Sequence, residues 1–412
     1  MSASAAGAHG QPVVEVSNRP LLIIGIMMAM VMQVLDSTIA NVALPHMQAS
    51  LGATFDSVSW VLTSYILATA IAMPLTGWLS DRFGSRRLFI VSVAGFIITS
   101  MLCGIAVNLP EMVLFRALQG ASAAFVGPLS QTVMLDITPR EQHPKAMAVW
   151  GMGIMVGPIL GPIIGGWLTD NYNWRWIFYI NVPIGVATLA ILIALLPSRP
   201  VRQRAFDLFG FSMLAIGLTA LQLMLDRGQQ EDWLQSWEIR IELGIAIVGI
   251  WLFLVHMATG RRPMFEREML ANRNLLLGLI FMLNIGAILM ATMALLPPML
   301  QAVYGYPVLD TGLMLAPRGI GILISMAIAG QLAGRVDPRM LIGGGMAFAA
   351  ASLWWMTHWS LDMDWHPVVW SGVLQGLGLG FLFSSINLAA FATLPPRYRT
   401  DAASLLYLMR NL

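Results

Sequence analysis

Short polar segments divide the chain into twelve apolar stretches, and each stretch is long enough for a helix to cross a lipid bilayer. The stretches lie near residues 21–44, 57–79, 88–107, 110–135, 146–168, 177–197, 207–226, 239–257, 275–301, 310–333, 340–357 and 367–393. A thirteenth begins near Ala402 and reaches only to Leu412, so we expect the sequence to stop within a helix. Because only helices and closed barrels satisfy their backbone hydrogen bonds in lipid, the pattern predicts an all-α, polytopic membrane protein.

The basic residues test this segmentation, because cytoplasmic loops of membrane proteins carry most of the Lys and Arg. Seventeen of the 23 Lys and Arg residues fall in alternate loops, three fall in the other loops, and three fall within helices. This bias predicts a cytoplasmic amino terminus for a multi-pass protein of the inner (plasma) membrane. The small polar residues at the start of the chain predict a disordered tail over 1–20. The composition, 57% hydrophobic and 11% charged with a net charge of +2, suits a membrane protein and does not indicate a nucleic-acid partner.

The chain also aligns with itself after a shift of about 250 residues. GWLSDRFGSR aligns with GQLAGRVDPR, and VLFRALQG aligns with VWSGVLQG. The repeat predicts two six-helix units with two helices inserted between them. The predicted parts are an N-terminal bundle over 21–197, an inserted pair over 198–258, and an incomplete C-terminal bundle over 259–412.

Asp36 lies inside the first apolar stretch, where a charge is costly and usually functional. Its face of the helix also carries Gln33 and Asn41, which we predict to line a substrate cavity. Counted from the predicted outer ends of their helices, Asp36 lies roughly 13 Å deep and Arg116 roughly 9 Å deep. The flexible arginine can cover the difference, so the two can form an ion pair. We predict that Asp36 is ionised while paired and takes up a proton when the pair opens, which can couple transport to protons.

Two other interpretations remain open at this point. Asp36 can be protonated in a polar helix contact, and Arg116 can simply extend to the outer interface. Arg318 also has two possible roles: it can bind an anionic substrate, or it can extend to the interface. Gln119, three residues after Arg116, and Arg318 complete the cavity candidates. Because Asp36 aligns with Ile288 in the repeat, the predicted carboxylate has no counterpart in the second half.

The fifth stretch, GMGIMVGPILGPIIGGW, carries a glycine at every fourth position and two prolines among them. These residues are Gly153, Gly157, Pro158, Gly161, Pro162 and Gly165. Such glycines let a neighbouring helix approach closely, and the prolines remove backbone hydrogen bonds. We therefore predict a bending helix that forms a tight contact between the two halves. Packing alone would explain the glycines but not the prolines.

The segment after the second stretch, GWLSDRFGSRR, places one carboxylate among basic residues. The basic residues suit a cytoplasmic loop, and its glycines allow a tight turn. We predict that the carboxylate faces the start of a neighbouring helix, pairs with an arginine, and holds one conformation closed. The residues assigned to this gate are Gly77, Asp81, Arg82, Gly84 and Arg86.

These segments resemble the motifs of the major facilitator superfamily, and in particular those of its drug:proton antiporters. LDSTIANVALP, GWLSDRFGSRR, LFRALQGASAAFVGP and GPILGPIIGGW carry the resemblance, which covers the chain after about residue 20. WRWIFYINVPIG and LDRGQQEDW look like the fourteen-helix branch of EmrB/QacA type. The resemblance implies a major facilitator fold, proton coupling through Asp36 and Arg116, and gating by Asp81. It also implies a periplasmic adaptor and an outer-membrane channel as partners, and a chain truncated at its carboxyl end.

Other classes of protein find little support in the residues. A phosphate-binding GxxxxGK[ST] loop is missing from the sequence, and the six histidines lie in tails, loops or helix ends. We therefore predict no catalytic residue, no metal site and no cofactor, with the proton gradient as the energy source. The predicted function is export of small amphipathic toxic compounds in exchange for protons, by alternating access. The alternatives are a proton-coupled facilitator for a specific metabolite and a non-functional fragment of such a pump.

Overall fold

The computed structural model describes residue 14 and residues 16–198, 201–261, 263–332 and 335–412; the side chains at 55, 56, 158, 162, 170, 308 and 309 lie outside this description. The longer helices are numbered here from α1 to α13. They are α1 (Arg19–Ser50), α2 (Trp60–Phe83), α3 (Ser85–Ile105), α4 (Leu109–Asp136), α5 (His143–Asn171), α6 (Trp176–Leu195), α7 (Leu208–Arg227), α8 (Trp237–Thr259), α9 (Arg273–Ala302), α10 (Val308–Leu332), α11 (Pro338–Met356), α12 (His366–Ala392) and α13 (Arg399–Asn411). Shorter elements are the helices Phe55–Val58 and Arg267–Leu270 and the 3-10 turns Met73–Leu75, Arg140–Gln142, Trp233–Gln235 and Pro396–Tyr398.

Eleven helices in these described ranges, α1 to α10 and α12, are long and apolar enough to cross a membrane. The chain is therefore a multi-pass membrane protein. The remaining predicted crossing forms α11, which is not among the eleven because Arg339 and Pro338 at its start lower its mean hydropathy. The thirteenth predicted stretch forms α13, of which 13 residues, Arg399–Asn411, are helical.

Helix α1 is longer than predicted, because it continues through Pro45 and ends at Ser50. A proline removes one helical hydrogen bond but does not end this helix. The chain turns only at Gly52, whose φ of +63° is easily adopted by glycine. Asp36 therefore lies about 21 Å along the axis from the end of α1, deeper than the distance predicted from Pro45.

The predicted loop GWLSDRFGSRR is almost entirely helical, so the loop prediction is wrong, whereas the tight turn predicted at its glycines is confirmed at Gly84. Helix α2 runs to Phe83 and α3 begins at Ser85, which leaves Gly84 as the connection. Gly84 has a φ of +89°, and this conformation lets a single residue redirect the chain. The motif therefore holds the ends of two helices in a fixed arrangement.

The helices form two packed groups, α1 to α6 and α9 to α13. Helices α7 and α8 pack against each other, and α7 also packs against α2. The two groups meet where α5 contacts α10 and α12 and where α13 contacts α2 and α4. We call the end with the α2–α3 and α4–α5 connections and the start of α13 the arginine-rich end, because most loop arginines lie there.

Candidate functional site

Asp36 of α1 and Arg116 of α4 form an ion pair within the first group of helices. The Nη1 atom of Arg116 lies 2.7 Å from the Oδ2 atom of Asp36, and the side chains are 0% and 1% exposed, respectively. Arg116 therefore does not extend to the interface. Partners for the remaining polar atoms stabilise a buried pair of this kind, because both charges have lost their hydration.

Two amide side chains supply such partners. The Nε2 atom of Gln119 donates to the Oδ1 atom of Asp36 at 3.0 Å, and the Nδ2 atom of Asn181 donates to the same oxygen at 2.8 Å. Arg116 also donates from Nη1 to the Oε1 atom of Gln119 at 2.8 Å. The carboxylate thus accepts hydrogen bonds from one guanidinium and two amides. We call Asp36, Arg116, Gln119 and Asn181 the Asp36 cluster.

Neighbouring helices hold the members of the cluster in place. The Nε atom of Arg116 donates to the carbonyl oxygen of Val61 at 3.2 Å, and its guanidinium lies 4.2 Å from the ring centre of Tyr65. Asn181 also donates to the Oγ atom of Ser100 at 3.0 Å. Sequence reasoning missed Asn181, Tyr65 and Ser100, because uncharged polar residues in apolar stretches give no signal of their position in space.

The chemistry available to the cluster follows from its donors. With the pair intact, Asp36 accepts hydrogen bonds from Arg116, Gln119 and Asn181. The cluster thus places one acid in contact with one cation inside the first group of helices. Its part in proton coupling stays a prediction.

The other predicted cavity residues lie apart from this cluster. Gln33 is buried, and its Oε1 atom has no hydrogen-bond partner within the described ranges. Asn41 is exposed and donates to the carbonyl oxygen of Ser37 at 3.2 Å. Arg318 belongs to the second group of helices and lies on α10, where its side chain is half-buried. Of the amide residues predicted to line the cavity, Gln119 is the one that forms a hydrogen bond with Asp36.

The four regularly spaced glycines of α5 pack against α1. A Cβ atom on Gly157 would lie 2.6 Å from the Cγ1 atom of Val34, and one on Gly161 would lie 2.2 Å from the Oγ1 atom of Thr38. Gly153 faces Met27 in the same way, and Gly165 faces Ile39. The prediction that this row forms the contact between the halves is therefore wrong, since α1 and α5 belong to the same group.

Other residues of α5 form the contact with the second group. Ile159 packs against Gly319 of α10, and Ala148 packs against Gly330 of the same helix. The glycines are thus on α10 at these points, and α5 supplies the side chains. Pro158 and Pro162, which the prediction assigned to bending, lie outside the residues whose side chains are described.

Asp81 pairs with an arginine that the sequence did not single out. The Nη1 atom of Arg204, in the connection between α6 and α7, lies 3.6 Å from Asp81 and donates at 2.8 Å to Asp401. Asp401 lies in the first turn of α13, so the arginine joins the two groups of helices. We call Asp81, Arg204 and Asp401 the Arg204 bridge.

Gly77 leaves room for this bridge, because a Cβ atom there would lie 1.7 Å from the Oδ1 atom of Asp401. Burial raises the pKa of Asp401 to about 6, although the charge of Arg204 acts in the opposite direction. Arg86 fixes α3 to α6 instead, with Nη2 donating to the carbonyl oxygen of Ile193 at 2.7 Å. Arg82 is exposed, so the five predicted gate residues do not act as one unit.

Two more contacts join the groups toward the same end. Arg399 of α13 donates to Asp136 of α4 at 2.9 Å, and Gln131 of α4 donates to Asn387 of α12 at 2.7 Å. With the Arg204 bridge, these contacts close the arginine-rich end of the molecule. Polar contacts of this kind hold a defined arrangement of two domains rather than a continuous range of positions.

The chain is similar in sequence and in fold to known membrane transporters. The family model of the Major Facilitator Superfamily matches residues 26–412. Over 400 residues, the chain is 38% identical to the multidrug export protein EmrB of Escherichia coli K12, covering 95% of this chain and 77% of that protein. It is 37% identical over 388 residues to the fatty acid resistance protein FarB of Neisseria gonorrhoeae, covering 93% and 76%. The human organic anion transporter MFSD10 superposes with a TM-score of 0.69 at 16% identity, covering 95% of this chain and 90% of that one.

Proposed function

This chain belongs to the Major Facilitator Superfamily, and we propose that it is a secondary transporter that exports amphipathic toxic compounds in exchange for protons. Its 38% identity to a multidrug export protein favours this function over transport of one specific metabolite. The observation that carries the proton coupling is the buried pair of Asp36 and Arg116, since an ionisable pair inside the membrane is costly without a function.

In the proposed cycle, Asp36 exchanges its ion pair for a proton. Entry of a proton from the acidic side neutralises Asp36 and frees Arg116, and loss of the proton on the other side restores the pair. Gln119 and Asn181 remain as hydrogen-bond partners in both states, because each amide carries a donor and an acceptor. Exchange of this kind needs no cofactor, since the proton gradient supplies the energy.

The Arg204 bridge is proposed to control access from one side. We place the arginine-rich end in the cytoplasm of a cell with the protein in its inner membrane, because cytoplasmic loops carry the excess of arginine. The closed end then faces the cytoplasm, and substrate entry requires Arg204 to release Asp81 or Asp401. Rocking of the two groups about α5 and α10 would open this side and close the other.

A periplasmic adaptor and an outer-membrane channel are proposed as partners on the basis of the resemblance in the motifs. They would carry the exported compound beyond the inner membrane. Co-purification of such proteins with the tagged chain after mild solubilisation would support this assembly, and isolation of the chain alone after cross-linking in cells would contradict it.

Transport in everted membrane vesicles tests the proposed function. Respiration acidifies the vesicle interior, and a pH-sensitive dye reports proton release when an amphipathic drug such as ethidium is added. We expect release from vesicles with the parent chain and none with Asp36→Asn. The control Asp362→Asn changes an exposed loop carboxylate and should behave like the parent. Equal proton release by parent and Asp36→Asn would show that Asp36 does not couple transport.

A further inference from the structure

The second group of helices holds a polar cluster, with two of its three side chains buried, that matches the Asp36 cluster in position but contains no carboxylate. Its members are Arg318 of α10, Thr292 of α9 and Gln375 of α12, here called the Arg318 cluster. The Nη1 atom of Arg318 donates to the Oγ1 atom of Thr292 at 2.6 Å and to the Oε1 atom of Gln375 at 3.3 Å.

The internal repeat places the two clusters at equivalent points. Gln119 aligns with Gln375 in the paired sequences VLFRALQG and VWSGVLQG. The helix contacts agree: a Cβ atom on Gly120 would lie 2.3 Å from the carbonyl oxygen of Tyr65, and one on Gly376 would lie 2.1 Å from that of Arg318. Arg318 of α10 thus occupies the position that Tyr65 of α2 has in the first group. The guanidinium of the second group therefore comes from α10, whereas Arg116 comes from α4, which corresponds to α12.

The charges of the two clusters differ. Arg116 has Asp36 as its counterion, whereas Arg318 has no Asp or Glu within ion-pair distance in the part of the chain that the structure describes. Thr292 occupies the position next to the guanidinium, and it is neutral. An arginine keeps its charge at any physiological pH, so the Arg318 cluster carries a net positive charge inside the membrane.

The unused donors of the cluster define what it can bind. Within the described ranges, the Nε and Nη2 atoms of Arg318 donate to no protein acceptor, and these atoms form the edge that binds a carboxylate with two parallel hydrogen bonds. Gln375 is 0% exposed, and its Nε2 donor also has no partner in those ranges. A buried donor without a partner is costly, so a ligand that supplies acceptors gains affinity here.

We propose that the Arg318 cluster is a subsite for the anionic head group, such as a carboxylate, of an amphipathic substrate. This inference rests on the proposed export function and specifies its substrate class. The head group binds the free edge of Arg318 and accepts from Gln375, while the apolar body lies between the two groups of helices. The site favours anions over cations, because every unused group at the cluster is a donor.

Binding to the purified chain in lipid nanodiscs tests the proposal. Radiolabelled dodecanoate is the anionic probe, dodecanol is the neutral probe of equal chain length, and empty nanodiscs give the lipid background. We expect saturable dodecanoate binding that weakens at least tenfold in Arg318→Gln and several-fold in Gln375→Met. Arg318→Lys keeps the charge but loses the two-bond edge, so it should lie between the parent and Arg318→Gln. The matched control Arg339→Gln removes an exposed charge at the arginine-rich end and should change nothing.

Three results would overturn the subsite. They are equal dodecanoate binding by parent and Arg318→Gln, an equal loss of dodecanol and dodecanoate binding in that variant, and no binding by the parent above empty nanodiscs. Proton-coupled transport in everted vesicles, measured separately with dodecanoate and with ethidium, separates this test from that of the export function. Anion binding without proton-coupled transport of either compound keeps the subsite and rejects the export function. Proton-coupled transport without anion binding rejects only the subsite.

Discussion

The pair of Asp36 and Arg116 predicts an unequal effect of removing its two charges. In Asp36→Asn, Arg116 keeps Gln119, the Val61 carbonyl and the Tyr65 ring, but it loses its only described counterion. Removing one partner of a buried pair lowers the free energy of unfolding by about 3–5 kcal/mol. Because Arg116 keeps its neutral partners, we expect a loss of about 3 kcal/mol for this variant.

The reverse change is expected to cost less. In Arg116→Gln, Asp36 keeps the donors of Gln119 and Asn181, and it can escape its remaining cost by taking up a proton. We expect a loss of about 1–2 kcal/mol in the free energy of unfolding near neutral pH. The double variant carries no buried charge at this site, so it should recover most of the loss seen in Asp36→Asn.

Denaturant unfolding of the three variants in detergent micelles, followed by tryptophan fluorescence, measures these differences. Asp362→Asn is the control for a change in charge at an exposed site and should lie within about 0.5 kcal/mol of the parent. The reasoning is refuted if Asp36→Asn lies within about 1 kcal/mol of the parent, or if the losses of the single variants add up in the double variant.

Two further predictions concern the close packing of α5 and the Arg204 bridge. Gly157→Ala would place a methyl group 2.9 Å from the backbone of Val34. We therefore expect a loss of about 1–3 kcal/mol in the free energy of unfolding, and slower drug efflux. The control Gly166→Ala adds a methyl group with no atom within 4 Å, so it should match the parent in both assays. The pKa of Asp401 is raised from its ordinary value of 3.8 to about 6 in the folded chain. The folded chain therefore binds more protons between these values, and its free energy of unfolding should fall by about 2 kcal/mol as the pH rises from 4 to 6. Asp401→Asn should abolish this part of the slope in denaturant titrations over that range, and an unchanged slope would exclude Asp401 as its source.

Much of the architecture was predictable because a bilayer imposes length and hydropathy on every crossing. The pairing of Asp36 with Arg116 was also predictable, since two opposite charges at similar depth in one bundle have few other partners. The family and the fold agree with the motifs. Pro45 predicts too early an end for α1, because one missing hydrogen bond does not terminate a helix that has favourable packing.

The partners of the candidate site were less accessible to sequence reasoning. The row of glycines on α5 indicates close packing, but the spacing alone does not say which helix approaches, and the partner is α1. Arg204 lies in a connection rich in arginine, where only the positions of Asp81 and Asp401 distinguish it. Asn181 is one amide at the start of an apolar stretch, and its contact with Asp36 depends on the packing of α6 against α1.

The missing carboxylate beside Arg318 has a consequence for the energy available to transport. If a monoanion leaves the cell while one proton enters, each cycle moves two elementary charges in the favourable direction across a membrane that is negative inside. Each charge gains about 2.3 kcal/mol per 100 mV. The electrical potential alone would then supply roughly 4.6 kcal/mol per cycle at 100 mV, enough for an accumulation ratio on the order of a thousandfold even without a pH difference.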